Sequence, residues 1–107
     1  MNVYSTKLTT QAEEHLREIA WYISVKLNSP DAASNLIDDF YTVFGELSTN
    51  PERHNPVAEE PWRSEGIRFV EVGNYYVYFW IDIENAAVQV IGIMYKRQDQ
   101  KKFFDNL

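Results

Sequence analysis

Residues 67–97 read IRFVEVGNYYVYFWIDIENAAVQVIGIMYKR, and this stretch decides the fold. It contains three runs dominated by β-branched and aromatic residues, the side chains that fit a pleated surface. The first, residues 67–72, ends at Gly73-Asn74, a two-residue turn. The second, residues 75–83 (YYVYFWIDI), is apolar at successive positions, so both of its faces must be covered, as for a central strand. Glu84-Asn85-Ala86 then turns the chain into the third run, residues 88–95 (VQVIGIMY). Three consecutive strands with tight turns predict an antiparallel meander. An unpaired acid is disfavoured inside a strand, so Asp82 reads as a strand-end or turn residue.

Upstream the period changes. Ala12, Leu16, Ile19, Ala20, Ile23 and Leu27 recur at helical spacing, with Glu13, Glu14, Arg17, Glu18 and Lys26 on the other side. Thr9 or Thr10 can cap this helix, and Glu13 stands at capping-box distance from Thr10. The expected span is about residues 10–27. Asn28-Ser29-Pro30-Asp31 ends it and starts a second helix, with Ser29 suited to the N-cap and Pro30 to the first turn. Ala33, Leu36, Ile37, Phe40, Phe44 and Leu47 form its apolar stripe, and Asn50-Pro51 closes it. So short a link predicts an antiparallel helical hairpin. Val3–Lys7 reads as an edge strand. Residues 50–65 (NPERHNPVAEEPWRSE) have no period and read as a long loop, functional or pinned by Trp62. Residues 98–106 can form a short tail helix. The expectation is one α+β domain over residues 1–107: an N-terminal strand, then an antiparallel helical hairpin packed on a mainly antiparallel four-stranded sheet, then the tail helix.

Composition narrows the chemistry. The chain has 107 residues, 15% of them aromatic, enough to build a core without staples, and no cysteine. No disulfide, thiolate zinc site or cysteine nucleophile is open to it. It has no apolar run long enough for a membrane span and no basic-then-apolar leader, which fits a cytoplasmic protein. The formal charge is −6, an unfavourable background for general nucleic-acid binding. That charge is uneven. Residues 1–65 hold five bases and eleven acids, whereas residues 66–107 hold five of each. Four of the latter bases, Lys96, Arg97, Lys101 and Lys102, surround a single acid, Asp99, so contact with a polyanion is confined to that patch.

Few residues suggest catalysis. His15 and His54, the only histidines, lie on different elements without a metal-ligand spacing; His15 reads as a partly solvated helix residue and His54 as loop surface. Glu13-Glu14 and Asp38-Asp39 are adjacent, hence do not converge on a helix. The four glycines are scattered, so no phosphate-cradling loop exists. No metal or cofactor is expected. What remains is the basic cluster: Arg97 and Arg68 suit bidentate phosphate contact if they reach the same face, and otherwise the cluster keeps a sheet edge soluble. Trp21, Tyr22, Tyr41 and Trp62 are protein-partner anchors wherever they are exposed.

The whole chain resembles the RelE/ParE superfamily of toxin–antitoxin toxins. The likeness lies in the element order, in Ser29-Pro30-Asp31-Ala32-Ala33 and Asn50-Pro51, in Gly66-Ile67-Arg68, and in the runs 74–82 and 88–99. It implies a small cytoplasmic toxin of a type II module, a growth inhibitor of the plasmid-stabilisation type. A cognate antitoxin would neutralise it by wrapping its helices and sheet, and a homodimer or a toxin–antitoxin hetero-oligomer is compatible with this. The superfamily has two activities: ParE-like members poison DNA gyrase, and RelE-like members cut mRNA on the ribosome without a metal. By resemblance Arg97 matches a RelE arginine after the last strand and Arg68 roughly matches a basic position on the first meander strand; these two, with Tyr95 as a substitute proton-transfer group, are the catalytic candidates, and Lys96, Lys101, Lys102, Phe103 and Trp62 are the binding candidates. Tyr76 stands where the nucleases often place arginine, after the tyrosine that Tyr75 matches, and Phe103 falls near a tail tyrosine but has no hydroxyl. ParE-like inhibition of gyrase is thus the first expectation. A RelE-like endoribonuclease, or a non-toxic antitoxin-binding member, is the alternative.

Overall fold

The computed structural model describes residues 3–107. Strand β1 (Ser5–Leu8) leads into α1 (Thr10–Trp21), which continues through a π-helical turn (Tyr22–Lys26). Helix α2 (Pro30–Glu46) follows, then a long loop containing a short 3₁₀ turn (Pro51–Arg53). Strands β2 (Arg68–Val72), β3 (Tyr75–Asp82) and β4 (Ala87–Tyr95) come next, and α3 (Gln100–Asp105) ends the chain. The sheet order is β1-β4-β3-β2. Strand β1 runs parallel to β4, and the other two pairings are antiparallel, so the expected α+β architecture is the one observed.

Local chemistry accounts for most boundaries. Gly73 takes a φ of +56° between β2 and β3, a conformation open to glycine at no steric cost. At the other end of β3, the Asp82 carboxylate accepts from the Asn85 backbone N–H, the Asn85 side-chain amide and the Gln89 amide. The Asn85 side-chain bond is the chief cause of its depressed pKa. Thr9 is the N-cap of α1, its Oγ1 accepting from the Ala12 N–H at 3.2 Å; with Thr9 in that role Glu13 stands one residue too late for a capping box. Pro30 opens α2, but the Ser29 hydroxyl donates to the Leu27 carbonyl instead of capping the helix.

Helix 1 departs from its expected course. The Leu27 N–H reaches back to the Tyr22 carbonyl at 3.0 Å, a five-residue step. That wider turn re-aims the end of the helix. Trp21, Tyr22, Val25 and Leu27 are left exposed, so Leu27, placed on the apolar stripe by its spacing, lies outside the core.

The hairpin covers one face of the sheet. Ala12, Leu16, Phe40, Phe44 and Leu47 pack there against Val72, Val77, Phe79, Val88, Val90 and Ile93. Burying Phe40, fully inaccessible, stabilises the fold by about 2–3 kcal/mol. The opposite face is closed by the proline loop and α3, where Val57, Ile67, Tyr78, Met94 and Phe104 form a second core. Two coverings explain why β3 is apolar on both sides: Val77 and Phe79 face the hairpin, and Tyr78 faces α3.

A β-bulge divides β4. Tyr78 pairs with Gly92 but Phe79 with Val90, leaving Ile91 without a partner on β3. The extra residue reverses the facing of everything after it. Val88 and Val90 face the hairpin before the bulge and Ile93 does so after it, whereas Met94 faces α3.

Candidate functional site

The bulge and the turn after β4 bring the basic cluster to one end of the sheet. Tyr95 pairs with Tyr75, and the Lys96 N–H donates to the Asn74 carbonyl at 2.9 Å, so β4 leaves the sheet beside the β2–β3 turn. The Lys96 Nζ lies 2.9 Å from a Glu71 carboxylate oxygen and 5.4 Å from the Tyr76 ring centroid. Its charge is therefore largely matched within the chain. Asp99 caps α3 through the Lys102 N–H at 3.2 Å. Arg97, Lys101 and Lys102 are exposed, and among the described residues none of them forms an ion pair.

Tyr95 is 38% exposed and meets Tyr75 edge to face at 5.5 Å. Tyr75 in turn lies edge-on to Phe40 at 5.7 Å. Burial, and then the neighbouring Tyr95 and Tyr22 hydroxyls, raise the pKa of Tyr75. Tyr22, the first residue of the π-turn, thus lies near Tyr75 at the same end of the molecule as Tyr95. On the other face Tyr78 is wholly buried, its hydroxyl accepts from the Gln100 amide at 2.9 Å, and burial pushes its pKa up to about 12. It stays a neutral phenol.

The structure does not bring Arg68 and Arg97 together. Arg68 pairs with Phe79, while Tyr95 sits across Tyr75 from Val72; the two ends of β2 are roughly 13 Å apart at ~3.3 Å per residue. Arg68 alternates with Val70 and Val72, so it stands on the hairpin side of its strand. Its Nη1 donates to the carbonyls of His54 at 2.6 Å and Glu52 at 3.2 Å, pinning the long loop. A groove of about 430 Å³ beside it is lined by Tyr4, Glu65, Trp80 and Ile83 among others. The convergence on one phosphate that the two arginines suggested is absent, because strand register separates them.

Phe103 and Trp62 take packing positions. Phe103 lies against Gly92, His15 and Tyr78. Trp62 stacks on Phe104 at 4.7 Å, anchoring the proline loop to the second core. Trp21, Tyr22 and Tyr41 remain exposed. His54, half-buried, meets Phe79 edge-on, and burial followed by Arg53 lowers its pKa. His15 has a role that its place beside acidic residues did not signal: its Nδ1 accepts the Ile93 N–H at 3.2 Å.

The β4 exit therefore offers cations and an exposed phenol. Among the described residues no imidazole or carboxylate is hydrogen-bonded to the Tyr95 hydroxyl or the Arg97 guanidinium. Such a surface can bind; a general acid–base reaction requires a proton acceptor within reach as well. Among the described residues no three His, Cys, Asp or Glu side chains gather as a metal site, and no helix is long and apolar enough to cross a membrane.

A family model described as the ParE toxin of the type II toxin–antitoxin system parDE matches residues 6–100. No curated protein sequence matches at a significant level. Among solved structures, a chromosomal ParDE system from P. aeruginosa superposes with a TM-score of 0.70 at 19% identity, over 89% of this chain and 98% of that one. The RelBE2 toxin–antitoxin complex of Mycobacterium tuberculosis gives 0.60 at 22%, over 87% and 98%. An archaeal RelE–RelB complex from Pyrococcus horikoshii gives 0.58 at 13%, over 92% and 100%. At these identities the likeness is one of fold.

Proposed function

The chain belongs to the ParE toxin family of type II toxin–antitoxin systems, and from that premise we propose that it inhibits DNA gyrase in the cytoplasm through protein–protein contact and is silenced by a cognate antitoxin. The whole of residues 1–107 acts as one toxin domain. The observation that carries the gyrase reading is the β4 exit: Arg97, Lys101 and Lys102 stand there with, among the described residues, no imidazole or carboxylate hydrogen-bonded to Tyr95, and Arg68, the other arginine of the expected nuclease set, is engaged by loop carbonyls at the far end of β2. Stabilising a phosphorane-like transition state calls for converging cations together with an acid–base pair. The acidic hairpin surface adds an unfavourable field for RNA. Arg97, Lys101, Lys102 and Tyr95 are the residues assigned to target contact, with Lys96 setting the shape of the exit.

Purified protein should slow gyrase supercoiling of relaxed plasmid and leave mRNA intact in a translating extract. Arg97→Ala should weaken the inhibition about tenfold without altering the thermal melt, as for a charged side chain lost from an interface. Ribosome-dependent mRNA cleavage abolished by Arg97→Ala would instead establish the RelE-like activity. Induced expression without growth arrest, with antitoxin binding retained, would establish a non-toxic member.

A further inference from the structure

The strand bulge creates a structural need that one titratable group fills. Strand β1 ends at Leu8, opposite Val90, so among the described residues β4 has no neighbouring strand on that side beyond the bulge. The Ile93 N–H points off this bare edge and donates to His15 Nδ1 at 3.2 Å. A buried backbone donor without a partner costs free energy comparable to a lost hydrogen bond, so α1 supplies by side chain what β1 does not supply by backbone. The His15 ring lies 5.0 Å from Phe103. Phe103 is also the side chain that fills the space above Gly92, where a Cβ would come within 3.0 Å of it. One imidazole thus touches both the bulged strand and the tail helix. Gln11 adds a second tie, donating to the Asn106 carbonyl.

We propose that His15 is a pH-operated latch, holding β4 and α3 together while neutral and releasing them on protonation. A neutral imidazole with its proton on Nε2 presents the Nδ1 lone pair to the Ile93 N–H. A proton taken from water at Nδ1 makes both ring nitrogens donors, and the bond to Ile93 is lost. The ring must then move, Phe103 loses its support, and α3 loosens from the sheet face around Tyr78 and Met94. Water reaches the ring through an open groove of about 310 Å³ bounded by α1 and α3.

The charges around the ring come from both helices. Glu14 and Glu18 on α1 favour the imidazolium; burial opposes it more strongly, and the balance lowers the pKa below 6.5. From the α3 side the groove carries Lys102 and Asp99, of opposite sign, beside neutral Gln98 and Asn106; on β4 the ring meets the Ile93 backbone. The sign follows from linkage. Unfolded or opened states bind the proton more readily than the latched state, so the latch is complete above about pH 6.5 and is lost as pH falls through the lower folded-state value.

The test is amide hydrogen exchange by NMR between pH 7.5 and pH 4.5, in a His54→Gln background where His15 is the one remaining histidine. Corrected for intrinsic rates, Ile93 protection should fall by up to about tenfold per pH unit between about pH 6.5 and the lower His15 midpoint and level off below it, and the amides of α3 should lose protection with it. His15→Gln, whose carbonyl can accept the same N–H without titrating, should abolish this dependence. Constant Ile93 protection, an equal loss in His15→Gln, or opening of Ile93 with α3 unchanged would each overturn the proposal. Should His15→Gln fail to fold, the imidazole nitrogen shifts decide: Nδ1 losing its acceptor signature at the midpoint of the Ile93 amide shift supports the latch, and separate midpoints refute it.

Discussion

The two faces of the sheet are built to different standards. On the hairpin side, eleven buried residues from α1, α2 and three strands interlock, and two long helices supply the cover. On the other side the core is five buried residues, Tyr78 and Met94 from the sheet and Val57, Ile67 and Phe104 from the long loop and the six-residue helix that cover it. Much of that second layer depends on aromatic contacts: Trp62 on Phe104 at 4.7 Å, Tyr78 on Phe104 at 4.7 Å, and Phe103 beside His15 at 5.0 Å. A short helix is not stable on its own, so α3 persists through those contacts. The first face therefore carries global stability and the second is the place for local opening.

Three substitutions probe this contrast. Phe40→Ala, at a fully buried site between Phe44 and Tyr75, should cost ~3–5 kcal/mol and shift the denaturation midpoint equally by every probe, because the hairpin face unfolds as one unit. Phe104→Ala should cost about 3 kcal/mol, but unevenly: α3 amides and Trp62 should be freed at denaturant concentrations where α1 and α2 amides remain protected. Identical midpoints for α3 and the hairpin would break the contrast. Gly92→Ala should cost about 1–2 kcal/mol by overpacking, since the new methyl lies 3.0 Å from the Phe103 ring and 3.1 Å from Leu107. Its effect should be confined to α3 and the Ile93 amide; an equal loss of protection in α2 would show that the faces are not separable.

The contrast also bears on function. Arg97, Lys101 and Lys102 sit on the exit turn and on α3, so the proposed contact surface belongs largely to the weaker layer. Arg68 sits where the long loop is tied down.

Much of the fold is legible in the chain because the signals involved are local. Alternating β-formers, the Gly73 turn, Pro30 and the apolar spacing of residues 33–47 each act within a few residues, and they place β2, β3, β4 and α2 nearly as observed. The double-sided apolar character of β3 even demanded a second covering, though not which segment would provide it. Trp62, on Phe104, pins the long loop, one of the two readings its place in the sequence allows. Less of the site is legible. Nothing in VQVIGIMY shows that Ile91 bulges out, and without the bulge neither the orientation of Tyr95 nor the open Ile93 amide can be placed. His15 looked like one more polar residue beside Glu14 and Glu18.

Element order, the α+β class and the gathering of positive charge between residues 96 and 102 follow from the chain alone, since each depends on neighbours along it. Tertiary structure alone decided which end of the sheet Arg68 occupies, that Tyr22 joins Tyr75 and Tyr95, and that His15 completes β4. Those outcomes hang on strand register, where a one-residue shift turns every later side chain to the other face, and on the rotation of helix 1 against the sheet. Register and rotation are set by how distant segments fill shared space, and that information appears only when the layers close on one another.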